Sequence, residues 1–395
     1  MTRRQLPPQI RKLTVRDRRT GKGVTRYQVT VDAGIVDGKR KQIRRRFATE
    51  AEARAELSSV QASVAAGTYI HASKLTVAQA VDGWLAAKHR LKPSTKRSHK
   101  TGLAPVRDEL GDTLVQQLTK RDIDTLVGRL RAGDVKGRRK WAPRSVNHML
   151  GLLTAVLEDQ QRQGHVVRNV ARLVDRIPAE RPEMKTLTQA QMFLILDYAC
   201  RDRHLWTLAL YGLRRGEIAG LRWDNVDLGA KTVTVAENRV AVGREIVAGT
   251  PKSKRSQRTL PLPDEVVEVL RAARKQQLQE RMALGEAYGS GEYVACDEAG
   301  EPYHPNLLTF RWGKLLDSLQ IPHVRLHDAR HSCATLMHLR GVPIAVIAAW
   351  MGHASAAFTL ATYAHSQDDA LKAAASSFGR DVTTRDTGTG EFPQS

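Results

Sequence analysis

The sequence predicts a multidomain α+β protein in which a small β-sheet with one helix, a helical domain and a mixed, mainly α domain with a small β-sheet follow one another. Residues 10–47 contain three β-prone runs separated by glycine-containing turns, and residues 76–175 are almost wholly helical in pattern. From Leu187 onward, amphipathic helices alternate with short β-prone runs. A chain of 395 residues with 41% hydrophobic content can build two or three cores.

The first domain is predicted at residues 1–70. The runs IRKLTVRD, RYQVTVDA and KQIRRRFA form a three-stranded antiparallel sheet, and Thr49 begins a helix with Glu52 in the capping-box position. Residues 1–75 hold 17 Lys and Arg against 6 Asp and Glu, which is half of the net charge of +22. Basic strands of this kind fit a DNA groove, and a basic accessory domain without a specific ligand is the alternative.

The second domain is predicted at residues 76–175, after a linker at 68–77. Its four or five short amphipathic helices include TVAQAVDGWLAAKHR and a helix that begins at a cap formed by Pro93, Ser94 and Thr95. Basic residues on the outer faces favour a helical DNA clamp.

The third domain is predicted at residues 183–376, beyond a Pro-rich boundary at 176–186. Its first helices are LTQAQMFLILDYAC and HLWTLALYGLRRGEIAGLRW, followed by the strands KTVTVAEN, GREIVAG and QRTLPL and by a helix that begins at Pro263–Asp264. Residues 379–395 have little to bury and are predicted to be disordered.

Composition narrows the class of function. A pI near 10.3 indicates a polyanionic partner, for which nucleic acid is the leading candidate and a merely solvated basic surface the alternative. The three cysteines include no CxxC pair, so neither a disulfide framework nor a zinc knuckle is indicated. No secretory signal and no run of about 18 apolar residues is present, so we expect no membrane span and a cytoplasmic location.

Four chemically active side chains lie within LHDARHSCATLMHLRGVPIAVIAAWMGHASAAFTLATYAHS. His327 and Arg330 are three residues apart and share one helix face. A second helix, at about 344–351, ends at Gly352, so that His353 follows its end. Tyr363 comes ten residues later, and its phenol needs cationic neighbours to become a nucleophile at neutral pH. The alternatives are a metal pair formed by His327 and His331, and a tyrosine that only packs.

A second basic cluster lies upstream. Arg214 is near a helix start, where backbone N–H groups favour an anion, and Glu217 can brace an arginine. Lys254 lies in the basic hairpin TPKSKRSQRTLPL, from which it can reach a phosphate or a leaving oxygen. A surface salt bridge is the alternative for Arg214, and simple contact with a DNA backbone is the alternative for the hairpin.

Two arginines, a lysine, two histidines and a tyrosine form a set suited to metal-free phosphoryl transfer through a covalent phosphotyrosine. Arginines bind the non-bridging oxygens and stabilise the pentacoordinate state. A lysine or histidine protonates the leaving 5′-oxygen, and the tyrosine attacks.

The chain resembles the tyrosine recombinases of the phage-integrase type, whose pattern is Arg, Lys, His-x-x-Arg, His or Trp, and Tyr. The six positions are GLRRGE with Arg214, KSKRSQR with Lys254, LHDARH with His327 and Arg330, MGHAS with His353, and ATYAH with Tyr363. Tyr211 stands where Thr is commoner and Met351 where Leu usually precedes Gly-His, and neither departure touches the chemistry. Lys252 is the alternative for the lysine; Lys254 is favoured because it precedes Arg258 by four residues.

The resemblance implies a function for each domain. Residues 1–70 would be an arm-type DNA-binding domain, residues 76–175 a helical, SAM-like core-binding domain, and residues 183–376 the catalytic domain. Tyr363 would attack a DNA phosphate, giving a 3′-phosphotyrosine and a free 5′-hydroxyl. Arg214 and Arg330 would clamp the phosphate, with Lys254 as general acid. His327 would assist proton transfer and His353 would hydrogen-bond the phosphate, without metal or cofactor.

The resemblance also implies partners and rival functions. Double-stranded DNA with core and arm-type sites, a homotetramer on that DNA, a host DNA-bending protein and a directionality factor are expected, in the bacterial cytoplasm at the nucleoid. The helix QDDALKAAASSF after Tyr363 would pack on a neighbouring protomer or on its own. An integrase of a phage or mobile element is favoured over a transposase or cellular resolvase, a type IB topoisomerase-like enzyme and a catalytically inactive DNA-binding regulator.

Overall fold

The computed structural model describes residues 5–16, 21–36, 39–65, 69–70, 72–180, 185–249, 257–353, 357 and 359–360. The chain divides into two compact units, Met1–Arg181 and Pro182–Ser395. The predicted α+β class is confirmed, because the first unit begins with a three-stranded sheet and a helix and the second combines helices with small sheets. The three domain boundaries proposed above stay a prediction.

The first unit begins with an antiparallel sheet in the order β1-β2-β3, as predicted. Its elements are β1 (Ile10–Arg16), β2 (Gly23–Val36), β3 (Lys39–Phe47) and α1 (Glu50–Ala65). The helix begins as the sequence predicts, since Thr49 Oγ1 accepts from the Glu52 N–H and a Glu52 carboxylate oxygen accepts from the Thr49 N–H, both over 3.3 Å. Alternating apolar residues of the sheet pack on one stripe of α1, and the buried members are Ile10, Val29, Val31, Ala53, Leu57 and Val60.

The opposite face of this sheet carries basic side chains. The strand register aligns Arg11 with Gln28 and Gln28 with Arg46, so these three side chains form a row across the sheet. Arg46 Nε donates to Gln28 Oε1 over 3.2 Å. Because adjacent positions of a strand alternate between faces, this row lies on the side away from α1.

The rest of the first unit is helical, with its own core. The helices are α2 (Val77–Ala86), α3 (Pro93–Leu110), α4 (Lys120–Ala132) and α5 (Pro143–Arg162). Capping boxes begin two of them, formed by Thr76 with Gln79 and by Thr119 with Asp122. The predicted cap of α3 was wrong in detail: Lys92 is the N-cap, no side chain caps it, and Pro93 occupies the first turn, where its missing N–H costs no helical hydrogen bond.

The second unit holds the remaining elements. They are α6 (Gln189–Asp197), α7 (Arg203–Leu210), α8 (Arg215–Ala219), β4 (Val226–Asp227), β5 (Thr232–Val235), β6 (Asn238–Val242), β7 (Glu245–Gly249), β8 (Arg258–Pro261), α9 (Asp264–Leu284), α10 (Pro305–Ser318), α11 (Leu326–Leu339) and α12 (Ile344–Met351). Strands β4, β5 and β8 form one antiparallel sheet and β6 and β7 a separate hairpin, so the described part contains two small sheets where one was predicted.

The core of the second unit positions the helices that carry the predicted site. Trp312 on α10 is fully buried and donates from Nε1 to the Val324 carbonyl over 2.7 Å, which fixes the loop that leads into α11. On α11, Ser332 Oγ accepts from the Leu187 N–H over 2.8 Å and ties the start of the unit to the middle of that helix. Among the described residues, no helix is long and apolar enough to cross a membrane.

Candidate active site

Arg330 lies inside the second unit, on α11. Its side chain is 1% exposed, and its guanidinium donates hydrogen bonds to the backbone carbonyls of Gly212 and Met351. A buried charge requires such partners. Because Gly212 precedes α8 and Met351 ends α12, Arg330 holds the two segments together, and the spacing from His327 places both residues on one helix, as predicted.

Arg214 is the N-cap residue of α8. Its Nη1 donates to Glu217 Oε1 over 2.6 Å, and its Nη2 donates to the Gly352 carbonyl over 3.0 Å. Its side chain is 31% exposed, so part of this guanidinium faces solvent. The helix that follows has only five residues, which is shorter than the sequence indicated. An anion at this position would therefore interact with the guanidinium more than with a helix dipole.

The carboxylate of Glu217 lies among three arginines: Arg214, Arg330 and Arg258, the first residue of β8. It is 3% exposed, accepts hydrogen bonds from Arg214 and Arg258, and has one oxygen 3.9 Å from Arg330 Nη1. Burial acts to raise the pKa of Glu217, but the hydrogen bond and charge of Arg258, followed by the charge of Arg214, outweigh it and lower that pKa. The ionised carboxylate offsets one of three positive charges and leaves an excess that suits a phosphate.

Three successive backbone carbonyls at the end of α12 each accept a hydrogen bond from one of the three arginines. Arg258 Nε donates to Trp350 over 2.6 Å, Arg330 donates to Met351, and Arg214 donates to Gly352. The carbonyl end of a helix carries partial negative charge, which favours cations. His353 is the next residue in the chain, so its backbone position is set by these bonds.

Two glycines allow the turn before α8 to lie close to the end of α12. Gly352 ends α12 in the left-handed conformation at φ +57°, the predicted helix stop. Gly212 has φ +102°, and a Cβ there would lie 3.2 Å from Met351 Cε. Tyr211, one of the two departures from the family pattern, packs edge-on against Trp350 with ring centroids 4.9 Å apart. The tyrosine, which is larger than the commoner threonine, makes this contact with its ring.

Three imidazoles lie in the same region. The rings of His327 and His331 are nearly perpendicular with centroids 5.0 Å apart, and His353 Nδ1 lies 2.9 Å from Thr359 Oγ1. Burial, and then the charge of Arg330, lower the pKa of His327. Burial lowers the pKa of His331 to about 4, with a smaller effect from His327. Burial and the charge of Arg330 lower the pKa of His353 to about 4.

The lowered pKa values favour the neutral imidazole, which can donate one hydrogen bond and accept another. In the described ranges, no group of three His, Cys, Asp or Glu side chains could hold a metal ion, and the His327–His331 pair stands without a third ligand there.

Two members of the predicted set lie outside the described residues. These are the lysine, whether Lys254 or Lys252, and Tyr363. The structure therefore brings together Arg214, His327, Arg330 and His353, and the chain enters β8 at Arg258, four residues after Lys254.

Sequence reasoning missed Arg258 as a member of the site. Its side chain is 7% exposed, and it contacts both Glu217 and α12. The period of two along β8 places Arg258 on the face of buried Leu260, and that signal marks an inward-pointing arginine.

Comparison with known proteins identifies the family of the chain. Residues 185–370 match the model of the phage integrase family, and residues 14–64 match the model of an arm DNA-binding domain. An integrase of Streptomyces ambofaciens is 27% identical over 352 residues, covering 86% of this chain and 89% of the relative. A XerC-like tyrosine recombinase of Caldanaerobacter subterraneus is 29% identical over 166 residues, which is 39% of this chain and 42% of the relative.

Solved structures share the fold at low identity. The Tn1549 transposon integrase, residues 82–397, in complex with transposon right end DNA has a TM-score of 0.63 at 19% identity, covering 77% of this chain and 99% of that one. A lambda integrase tetramer bound to a Holliday junction has a TM-score of 0.54 at 15% identity, covering 90% and 96%.

The chain is a tyrosine recombinase, an enzyme class that cleaves and rejoins DNA. It belongs to the phage integrase family and carries an arm DNA-binding domain at its amino-terminal end.

Proposed function

We propose that this chain integrates, and excises, the genome of a phage or mobile element by conservative site-specific recombination in a bacterial host, acting on DNA of the nucleoid. The observation that carries the proposal is the meeting of Arg214, Arg330 and His353 at the end of α12, with His327 on the same helix as Arg330. This places an excess of positive charge beside neutral imidazoles. A DNA phosphate is the anion that such a site fits.

In the proposed cleavage step, Tyr363 Oη forms a bond to phosphorus and the bond from phosphorus to the 5′-oxygen breaks. Arg214 and Arg330 stabilise the charge on the non-bridging oxygens. His327 accepts or relays the phenolic proton, because its lowered pKa keeps the imidazole neutral at pH 7. Lys254 gives a proton to the leaving 5′-oxygen, and His353 donates a hydrogen bond to the phosphate.

The 3′-phosphotyrosine conserves the energy of the broken ester bond. Attack on phosphorus by the 5′-hydroxyl of a partner strand reverses the step and releases Tyr363, so that atoms and protons balance without a cofactor. Two rounds exchange both strands through a Holliday junction. We propose that four protomers act together, as in the lambda integrase tetramer.

We assign the two DNA contacts to different parts of the chain. The arginine-bearing sheet of β1, β2 and β3 would bind arm-type sites, and the helical part with the second unit would bind the core site. The arm domain match supports the first assignment. A host bending protein and a directionality factor would control the direction of the reaction.

Covalent trapping tests the proposal. The full-length protein is incubated with nicked duplexes bearing its attachment site, denatured, and analysed for a protein–DNA adduct. We expect an adduct with the wild type and with Tyr198→Phe, which alters an exposed tyrosine in the same unit, and none with Tyr363→Phe. Tight binding by the wild type without an adduct on any attachment site would favour the regulator function instead.

A further inference from the structure

Phe310 is an apolar side chain left in solvent on an otherwise well-packed helix. It is 61% exposed on α10, whereas Leu308, Trp312 and Leu316 of the same helix are fully buried. The helix therefore has a core face and a solvent face, and Phe310 lies in the middle of the solvent face.

This solvent face adjoins the candidate active site. Arg215, the residue after Arg214, donates from Nη1 to Thr309 Oγ1 over 3.0 Å. Thr309 directly precedes Phe310, so one hydrogen bond links the start of α8 to the exposed face of α10. The solvent face of α10 therefore lies next to the residue that follows Arg214.

The neighbours of Phe310 suit a nucleic acid. Lys314 lies one turn further along α10, with its Nζ 5.5 Å from the centre of the Phe310 ring. Asn306 is exposed one turn earlier. A helix fits the major groove of DNA, where Asn pairs with adenine and an apolar side chain contacts the 5-methyl group of thymine, while Lys binds the phosphates of the backbone.

We propose that Phe310 determines sequence specificity by contacting a thymine methyl group in the major groove of the core site. This inference rests on the proposed function. The ring would be covered by DNA in the complex, which explains why an apolar group is retained in solvent in the free chain. Asn306 and Lys314 would hold α10 in register.

The test uses the duplex that the full-length wild type selects most strongly from a random-sequence pool. Each thymine is replaced in turn by deoxyuridine, which removes only the 5-methyl group, and the Kd is measured by fluorescence anisotropy. The wild type is expected to lose about fourfold in affinity at one position, the value for one buried methyl group. Phe310→Ala is expected to bind the thymine and uridine duplexes equally, and Phe310→Leu to recover part of the difference.

Phe193→Ala, which removes an exposed phenylalanine from α6, is the matched control and is expected to show the wild-type uridine profile. The same uridine profile in Phe310→Ala and the wild type would overturn the proposal, as would a wild type indifferent to every substitution. A change in oligomeric state without a change in the profile would assign Phe310 to a protein contact and overturn it also. Adduct formation on the unmodified duplex separately reports whether the proposed recombinase function holds.

Discussion

Arg258 binds both carboxylate oxygens of Glu217, with Nη1 donating to Oε1 over 3.2 Å and Nη2 donating to Oε2 over 3.0 Å. Both side chains are almost fully buried. The pair joins the first residue of β8 to the short helix α8. Since the predicted lysine precedes β8 by a few residues in the sequence, this pair connects the strand that follows the lysine with the arginines that we assign to the phosphate.

Replacing Glu217 by Gln is expected to destabilise the protein. Its three arginine neighbours would face a neutral amide, and losing one partner of a buried ion pair costs about 3–5 kcal/mol. The free energy of unfolding, measured by urea denaturation of the full chain, checks this. Glu298→Gln is the control, because Glu298 also pairs with an arginine but is 65% exposed, and its removal should cost less than about 1 kcal/mol. Equal effects of the two substitutions would contradict the central role of Glu217.

The lysine can be identified by changing the leaving group. Lys254→Ala is expected to slow cleavage of ordinary DNA by about 10²–10⁴-fold, the contribution of a general acid. A duplex with sulfur in place of the leaving 5′-oxygen needs no proton at that atom, so its cleavage should be restored to nearly the wild-type rate. Lys252→Ala is the matched control, with a small effect on both substrates. If Lys252→Ala shows the defect and the rescue, the general acid is Lys252.

Thermal stability is expected to fall as the pH is lowered from 6.5 to 4. The pKa of His331 and of His353 is about 4 in the folded protein, below the ordinary 6.5. The unfolded chain therefore binds more protons in this range, and protonation favours unfolding. The Tm measured across this range should fall less steeply in His331→Gln than in the wild type, while His323→Gln, which alters an exposed loop residue, should follow the wild type. If the Tm of His331→Gln falls with pH as steeply as that of the wild type, burial of His331 is not a cause of the pH dependence.

Gly212→Ala is expected to lower stability and cleavage together. In the left-handed backbone region, a residue that has a Cβ lowers the stability by about 1–2 kcal/mol relative to glycine. Here the Cβ would also press on Met351 and Trp350. Differential scanning calorimetry and the adduct assay measure the two effects. Gly313→Ala is the control, since this glycine lies within α10 with open space around its Cα and alanine is the better helix former. A Tm unchanged by Gly212→Ala would show that the turn adjusts freely.

The basic row of the amino-terminal sheet should contribute to the salt dependence of DNA binding. Each arginine that contacts a phosphate contributes about 0.9 to the slope of log affinity against log salt concentration. The double substitution of Arg11 and Arg46 by Gln is therefore expected to reduce that slope by about two on an arm-site duplex. Arg54→Gln, on α1 behind the sheet, is the control. Equal slopes for the double variant and the control would place the DNA elsewhere.

The sequence predicts best where local rules govern. Helix α12 and its glycine stop, and the capping box of α1, follow from residues within one or two turns. The arrangement of Arg258 and Glu217 could not be predicted in the same way, because it joins residues 41 positions apart through tertiary packing. The assignments of Lys254 and Tyr363 stay predictions from the family pattern.

The end of α12 is recognised through its backbone. Trp350, Met351 and Gly352 offer only their carbonyl oxygens to the three arginines, and every amino acid carries that group. These three contacts therefore place no demand on the side chains of Trp350 and Met351, which are instead constrained by packing: Trp350 lies against Tyr211, and Met351 is fully buried. A methionine before Gly-His thus keeps the hydrogen bond to Arg330, because that bond uses only the backbone carbonyl of Met351.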